Sequence, residues 1–179
     1  DPHFDLGQYL NDDVVIIFDT GGLRSEAQRV LTLVVLSNLW SALRRRKRVG
    51  DTSHSEENSN DPLVSVYVEE ASSIAVSQLL KRLLSQSRGF DAAMTLAMQF
   101  PAQLREADET AYDEVLNNVS TIVTGNVAVD HGLTERMATD DMPAVDVGNR
   151  LRALRRRHWL CSLPSGFDAL EPRPFVLAS

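Results

Sequence analysis

The chain has 179 residues, 43% of them hydrophobic and 24% charged, and a formal net charge of −7. This length suits a single domain with a sizeable core, and the composition is that of a soluble globular chain rather than a disordered one. The acidic balance argues against a generally basic nucleic-acid binder, while local patches stay open. One cysteine, Cys161, excludes a disulfide framework; it stands in an apolar run that suits a core position and a reducing compartment. His3, His54, His131 and His158 lack metal-ligand spacing with it, which disfavours zinc. The longest apolar-rich stretch, Val30 to Leu43, is interrupted by Thr32, Ser37, Asn38 and Ser41, so no transmembrane segment is expected. Asp1-Pro2-His3 has neither an initiator Met nor the start of a secretory signal, which suggests a fragment or a processed chain. Of the 18 basic residues only Lys47 and Lys81 are lysines, a bias that fits genome composition or a high-salt proteome.

Along the chain, Val14-Val15-Ile16-Ile17-Phe18 is a continuous apolar run that predicts a buried strand, closed by the turn Asp19-Thr20-Gly21-Gly22. Asp19 there is a turn former or a group at the ligand edge of the sheet. Apolar spacing then predicts a long helix from about Ser25 to about Arg48, ending in Arg44-Arg45-Arg46-Lys47-Arg48. Residues 50–62 are polar and predict a surface loop rather than a domain boundary. A second apolar run, Val64–Val68, predicts another buried strand, and Ser72 to Gln86 a helix. Further strands are expected at Ala92–Met98, stopped by Pro101, and at Ser120–Thr124. Helical patterns run from about Tyr112 to Asn117, Asp130 to Ala138 and Ala144 to Leu154. His158–Leu163 and Pro174–Ala178, joined through Pro164-Ser165-Gly166-Phe167, predict a C-terminal hairpin. Strand–helix alternation over the first 125 residues implies α/β architecture: a mainly parallel sheet in three layers.

The most informative stretch is Leu63-Val64-Ser65-Val66-Tyr67-Val68-Glu69-Glu70-Ala71, an apolar strand that ends in two adjacent carboxylates. Ligand sites in parallel sheets lie beyond the carboxyl ends of the strands. Two acids there can hold a metal ion and polarise a water molecule. The same residues also fit a strand that ends in a solvated Glu-Glu turn. Gln99 follows another apolar strand, and a polar amide at such an edge needs a partner. The Arg44–Arg48 and Arg155–Arg157 clusters suit phosphate contacts or solvated chain ends, and the acidic overall charge favours the latter.

Taken in order, these motifs resemble the C-terminal half of the ATPase domain of HerA/FtsK-type motors, including archaeal HerA-like ATPases and conjugative or type IV secretion ATPases. The matching segments are Val14–Gly21, Val64–Ala71, Ser85–Leu104, Leu116–Val123 and Leu160–Val176. The most specific is Leu84-Ser85-Gln86-Ser87-Arg88-Gly89-Phe90-Asp91 with Leu96-Ala97-Met98-Gln99-Phe100-Pro101-Ala102-Gln103-Leu104. It is similar to the family stretch in which a basic residue precedes a strand ending in Thr-Gln-x-Pro, with Met98 in place of Thr.

The resemblance implies that residues 1–179 form the distal part of a single RecA-like P-loop NTPase domain closed by a C-terminal β-hairpin. It makes Glu69 the acid associated with magnesium, through water where the longer side chain requires it. It makes Glu70 the base that orients the attacking water, Gln99 the γ-phosphate sensor and Arg88 an arginine finger toward a neighbouring subunit. Glu69, Glu70 and Gln99 are then expected at one sheet edge. It further implies a homo-oligomeric ring, hexameric in the family, that translocates DNA, and a cytoplasmic setting in which other parts of the parent make any membrane attachment. One departure is large: no G-x-x-x-x-G-K-[S/T] phosphate loop occurs in the chain. ATP and Mg2+ are therefore expected only with an upstream phosphate loop, and hydrolysis only in a full-length parent. The alternative is a non-catalytic α/β module that binds a partner protein.

Overall fold

The computed structural model describes residues 4–52, 61–74, 78–99, 101–127, 130–163 and 174–178. The chain divides into two compact units, Asp1–Ala97 and Met98–Ser179, and is mixed α/β.

In the first unit, helix α1 (Ser25–Thr52) is the organising element. Its apolar positions Leu36, Leu39, Trp40 and Leu43 fall at helical spacing and are buried. Leu39, Ala42 and Leu43 pack with Leu6, Leu10 and Ala92 in one cluster. A short 3-10 turn at Leu6–Tyr9, capped by Asp5, docks on the helix: Asn38 Oδ1 accepts from the Leu6 amide at 3.2 Å, and Arg45 pairs with Asp5 at 2.7 Å. The helix runs beyond the expected end near Arg48, because Gly50 keeps helical backbone instead of the left-handed conformation that stops helices. The expected loop at 50–62 begins accordingly later, and its residues 53–60 lie outside the described residues.

Strands β1 (Val64–Val68) and β2 (Ala92–Leu96) pair in parallel, with Val64 opposite Ala92 and Val68 opposite Leu96. Between them lie a 3-10 turn at Ala71–Ser73 and helix α2 (Gln78–Gln86). Ile74, Leu80 and Leu83 are fully buried. Each such side chain contributes about 2 kcal/mol by leaving water. The middle of the helix expected over Ser72 to Gln86, residues 75–77, lies outside the described residues.

Val14–Phe18 departs from expectation. It has no regular secondary structure and pairs with no strand among the described residues, and Val15 and Ile17 are 88% and 83% exposed. An apolar run becomes a strand only when neighbours take its backbone groups. Phe18 instead packs edge-on against Phe4 at 5.7 Å. Asp19 acts as a turn former, its Oδ1 accepting from the Gly21 amide at 2.9 Å.

The second unit holds helices α3 (Pro101–Ala107), α4 (Glu109–Asn118), α5 (His131–Met137) and α6 (Ala144–Ala153). Helix α3 went unrecognised in the sequence. The strand stops at Leu96, short of the expected Met98, and Pro101 opens a helix at its first position, where its missing N–H costs nothing. Helix α4 begins earlier than the pattern suggested because Asp108 caps it, accepting from the Ala111 amide at 3.1 Å.

Strands β3 (Ile122–Thr124), β4 (His158–Ser162) and β5 (Phe175–Ala178) form an antiparallel sheet in that order. The C-terminal pair is antiparallel, as expected, with Leu160 opposite Val176; its connection Pro164–Phe167 lies outside the described residues. The strand expected at Ser120–Thr124 corrects the single parallel sheet. It runs antiparallel to β4, with Val123 opposite Cys161, and belongs to a different sheet from β1 and β2. An apolar run shows a strand's presence but carries no information on the direction of its partner. Leu133, Met137, Val147, Leu151 and Leu160 form the core beside this sheet. Cys161 is buried, and desolvation pushes its thiol up, as suits an inert core residue.

Candidate functional site

The parallel register decides where the carboxylates stand. Val68 and Leu96 are the last paired residues of β1 and β2, so both strands leave this sheet at the same end. The ladder is extended one step by backbone bonds: the Ala97 amide donates to Val68 at 2.9 Å and the Ala71 amide donates to Ala97 at 3.0 Å. Glu69 and Glu70 fill the two positions between, and both are exposed.

Glu70 has left-handed backbone, φ +50° and ψ +38°. A residue with a Cβ takes this conformation at a cost of about 1 kcal/mol, and Glu has no short side chain to compensate locally. The turn is held by its neighbours, with the Ser73 amide and hydroxyl both donating to the Glu70 carbonyl at 3.1 and 3.0 Å. The carboxylate itself is not spent on the turn. The same left-handed backbone recurs at Asp91 and Arg157.

Arg88 lies in the 3-10 turn Ser87–Phe90, just before β2, and is exposed. No side-chain hydrogen bond or ion pair occupies it among the described residues. The turn beneath it is tightly held. Arg46, near the end of α1, donates to the Phe90 carbonyl at 2.9 Å and to the Pro62 carbonyl at 3.2 Å. Lys47 donates to the Gly89 carbonyl and lies 5.3 Å from the centre of the Phe90 ring. Trp40 meets the same ring edge-on at 4.9 Å. Asp91 follows with left-handed backbone, φ +52°, and turns the chain into β2. Two cations of the Arg44–Arg48 cluster therefore position the Arg88 turn. The sequence carried no signal for this, because the partners are backbone carbonyls far along the chain.

Gln99 lies in the bend ahead of α3 and is exposed, with no side-chain hydrogen bond among the described residues. The helix that follows is anchored by a buried polar network. Arg105 reaches both oxygens of Asp130, at 3.0 and 2.9 Å, and its guanidinium lies 4.3 Å from the centre of the Tyr112 ring. The Tyr112 hydroxyl donates to Asp130, which also caps α5 by accepting from the Leu133 amide at 2.9 Å. Burial, then the bond to Asp130, pushes the Tyr112 phenol up to about 12. Gly132 is required here, since a Cβ at that position would come within 2.5 Å of the Tyr112 oxygen. Asp130 just before a helical pattern was a legible cap; its partners Arg105 and Tyr112 were not.

Among the described residues, no three His, Cys, Asp or Glu side chains lie close enough together to hold a metal ion. Glu69 and Glu70 nevertheless have the donor chemistry of Mg2+, which keeps several waters and takes one or two carboxylates rather than a full protein cage. For ATP the chain has no Gly-rich phosphate loop in its sequence. No helix among the described residues is long and apolar enough to cross a membrane. Neither a protein-family model nor a curated protein matches the chain.

Proposed function

We propose that the chain is the distal part of a RecA-like ATPase domain of the HerA/FtsK type, a DNA-translocating motor that works as a cytoplasmic homo-oligomeric ring. The observation that supports this most is the shared exit of β1 and β2, which sets Glu69 and strained, exposed Glu70 beyond a parallel strand pair. Glu69 would hold Mg2+ through water, and Glu70 would orient and deprotonate the attacking water. Gln99 would sense the γ-phosphate, and Arg88, unoccupied on a tethered turn, would neutralise charge at a neighbouring subunit's nucleotide. Mg2+ bound with ATP supplies charge neutralisation at the transferring phosphoryl group.

The test is made in a parent that carries an upstream phosphate loop. Glu70→Gln should abolish hydrolysis and keep ATP binding, since Gln matches the size but neither takes the proton nor carries the charge. Arg88→Ala should slow turnover by about 10³-fold or more. Mixed rings of the two variants should regain activity, because Arg88 from one subunit then meets Glu70 in another. Hydrolysis near wild type in pure Glu70→Gln protein would overturn the assignment.

A second reading is a non-catalytic module that binds a partner protein. The lack of a phosphate loop in these 179 residues favours it. It predicts that Glu70→Gln changes nothing but the local charge.

A further inference from the structure

Two parts of this chain are left without the partners that their chemistry calls for. The first is the outer edge of β5, which ends the sheet β3-β4-β5 among the described residues. Its four residues, Phe175, Val176, Leu177 and Ala178, are all apolar and all exposed. Natural sheets blunt such an edge with a charge, a proline or a bulge, because it presents a row of unpaired N–H and C=O groups to another strand. No charged residue or proline falls within β5. The second part is Val14–Phe18, which pairs with no strand among the described residues. Its exposure alternates, with Val15 and Ile17 more open than Val14, Ile16 and Phe18, and two is the side-chain period of a strand.

The charges beside these two parts are of opposite sign. Asp12 and Asp13, immediately ahead of Val14, are exposed, and no hydrogen bond or ion pair holds either carboxylate among the described residues. Arg155 and Arg156 are exposed as well, and no hydrogen bond or ion pair holds either guanidinium among the described residues. Their turn is built rather than loose. Asn126 Nδ2 donates to the Leu154 carbonyl at 3.1 Å, and the His158 amide donates to the Arg155 carbonyl at 3.0 Å. The Arg156 carbonyl accepts from His158 Nδ1 at 3.2 Å. The turn leads into β4, where His158 stands opposite Ala178. Arg155 and Arg156 therefore lie at the end of the sheet where β5 finishes.

We infer that β5 is a docking edge for a second copy of this chain, whose Val14–Phe18 adds to it as an antiparallel strand. Strand addition satisfies the edge with main-chain bonds and sends alternate side chains to the two faces. The sheet is antiparallel throughout, so an added strand that continues the pattern starts beside Ala178. That direction brings Asp12 and Asp13 of the second copy to the end of the sheet that carries Arg155 and Arg156, and the opposite direction carries them away from it. Two other pairings between copies are less favourable. Antiparallel pairing of Val14–Phe18 with itself sets Asp12 and Asp13 near Asp19 of the other copy, which is like-charge repulsion. Pairing of β5 with β5 leaves both aspartates and both arginines without a counter-charge. Donor and acceptor are different surfaces, so the contact is heterologous. One short strand and exposed ion pairs make it a weak association at the low end of interface sizes. This docking is independent of the ATPase reading, and its test needs no nucleotide, so each can fail without the other.

The test is sedimentation equilibrium of the chain over rising concentration, at low and at high salt. The expected result is self-association that weakens as salt screens the ion pairs. Asp12→Lys with Asp13→Lys should weaken it about tenfold or more, and Arg155→Asp with Arg156→Asp should do the same. An equimolar mixture of these two double variants should associate again, because the reversed segment of one then meets the reversed corner of the other. Circular dichroism reports that each variant is folded. The control Asp140→Lys with Asp141→Lys, an exposed acidic pair elsewhere in the chain, should change association less than about twofold. The docking is overturned if the chain stays monomeric at every concentration, if the control weakens association equally or if the mixture does not recover. Loss of association in Leu177→Lys, with none in Asp12→Lys and Asp13→Lys, would name β5 of the other copy as the occupant and overturn it as well.

Discussion

Glu70 carries two loads that pull in opposite directions. Its side chain is the candidate base, and its backbone stands in a conformation that disfavours any residue with a Cβ. Glu70→Gly should therefore leave the melting temperature unchanged or raise it, with a gain of at most about 1 kcal/mol from relieved strain, set against the extra entropy of a Gly chain. A clear fall in melting temperature would mean that the carboxylate itself stabilises the fold. Tyr112 gives a second residue-level expectation. Its folded pKa is raised to about 12 against 10.0 as the ordinary value. The native state thus holds its proton where the unfolded chain has lost it. The stability from this group is complete below pH 10 and falls between about pH 10 and 12, by up to about 1.4 kcal/mol per pH unit. Denaturant titrations across that range should show a steeper loss for wild type than for Tyr112→Phe, which has no phenol to ionise. Equal slopes would remove the phenol–Asp130 bond from the account.

The elements differ in how far their own residues decided them. Helices α1, α5 and α6 follow from spacing, and α5 also from its Asp130 cap, because a helix satisfies its backbone internally and needs only one face covered. A strand has no such independence. Val14–Phe18 is more apolar than β1 yet pairs with no strand among the described residues, while Val64–Val68 pairs with β2. An unpaired apolar segment of this kind is a template for association. Val15→Lys with Ile17→Lys, at positions 88% and 83% exposed, should reduce concentration-dependent aggregation in light scattering at an unchanged melting temperature. A large drop in melting temperature would mean that these side chains are buried in the folded chain. Direction was equally illegible: β3 answered its strand pattern but pairs antiparallel in a separate sheet, because direction is set by the partner. Of the candidate site, Glu69, Glu70, Arg88 and Gln99 were visible as residue types at strand and turn boundaries. The Arg46 and Lys47 tether of the Arg88 turn was not, since its acceptors are main-chain carbonyls that any sequence has.

At the scale of the whole molecule, what the chain lacks is as specific as what it has. Backbone amides of a Gly-rich loop supply most of a phosphate cradle. Calorimetric titration of these 179 residues with ATP and magnesium should therefore give little heat beyond dilution. Tight binding would reveal a nucleotide site built from other residues. The sequence by itself determined the mixed α/β class, most helices, the Glu-Glu end of β1 and the absence of a phosphate loop. These follow from periodicity, caps and residue chemistry, all of which act within a few positions. Only the tertiary structure decided which strands pair and in which direction, and that two compact units share the chain. It alone decided that Arg46 and Lys47 are committed to distant main-chain carbonyls. Those outcomes depend on which distant groups satisfy each backbone amide and each guanidinium, and a local pattern holds no record of its partner.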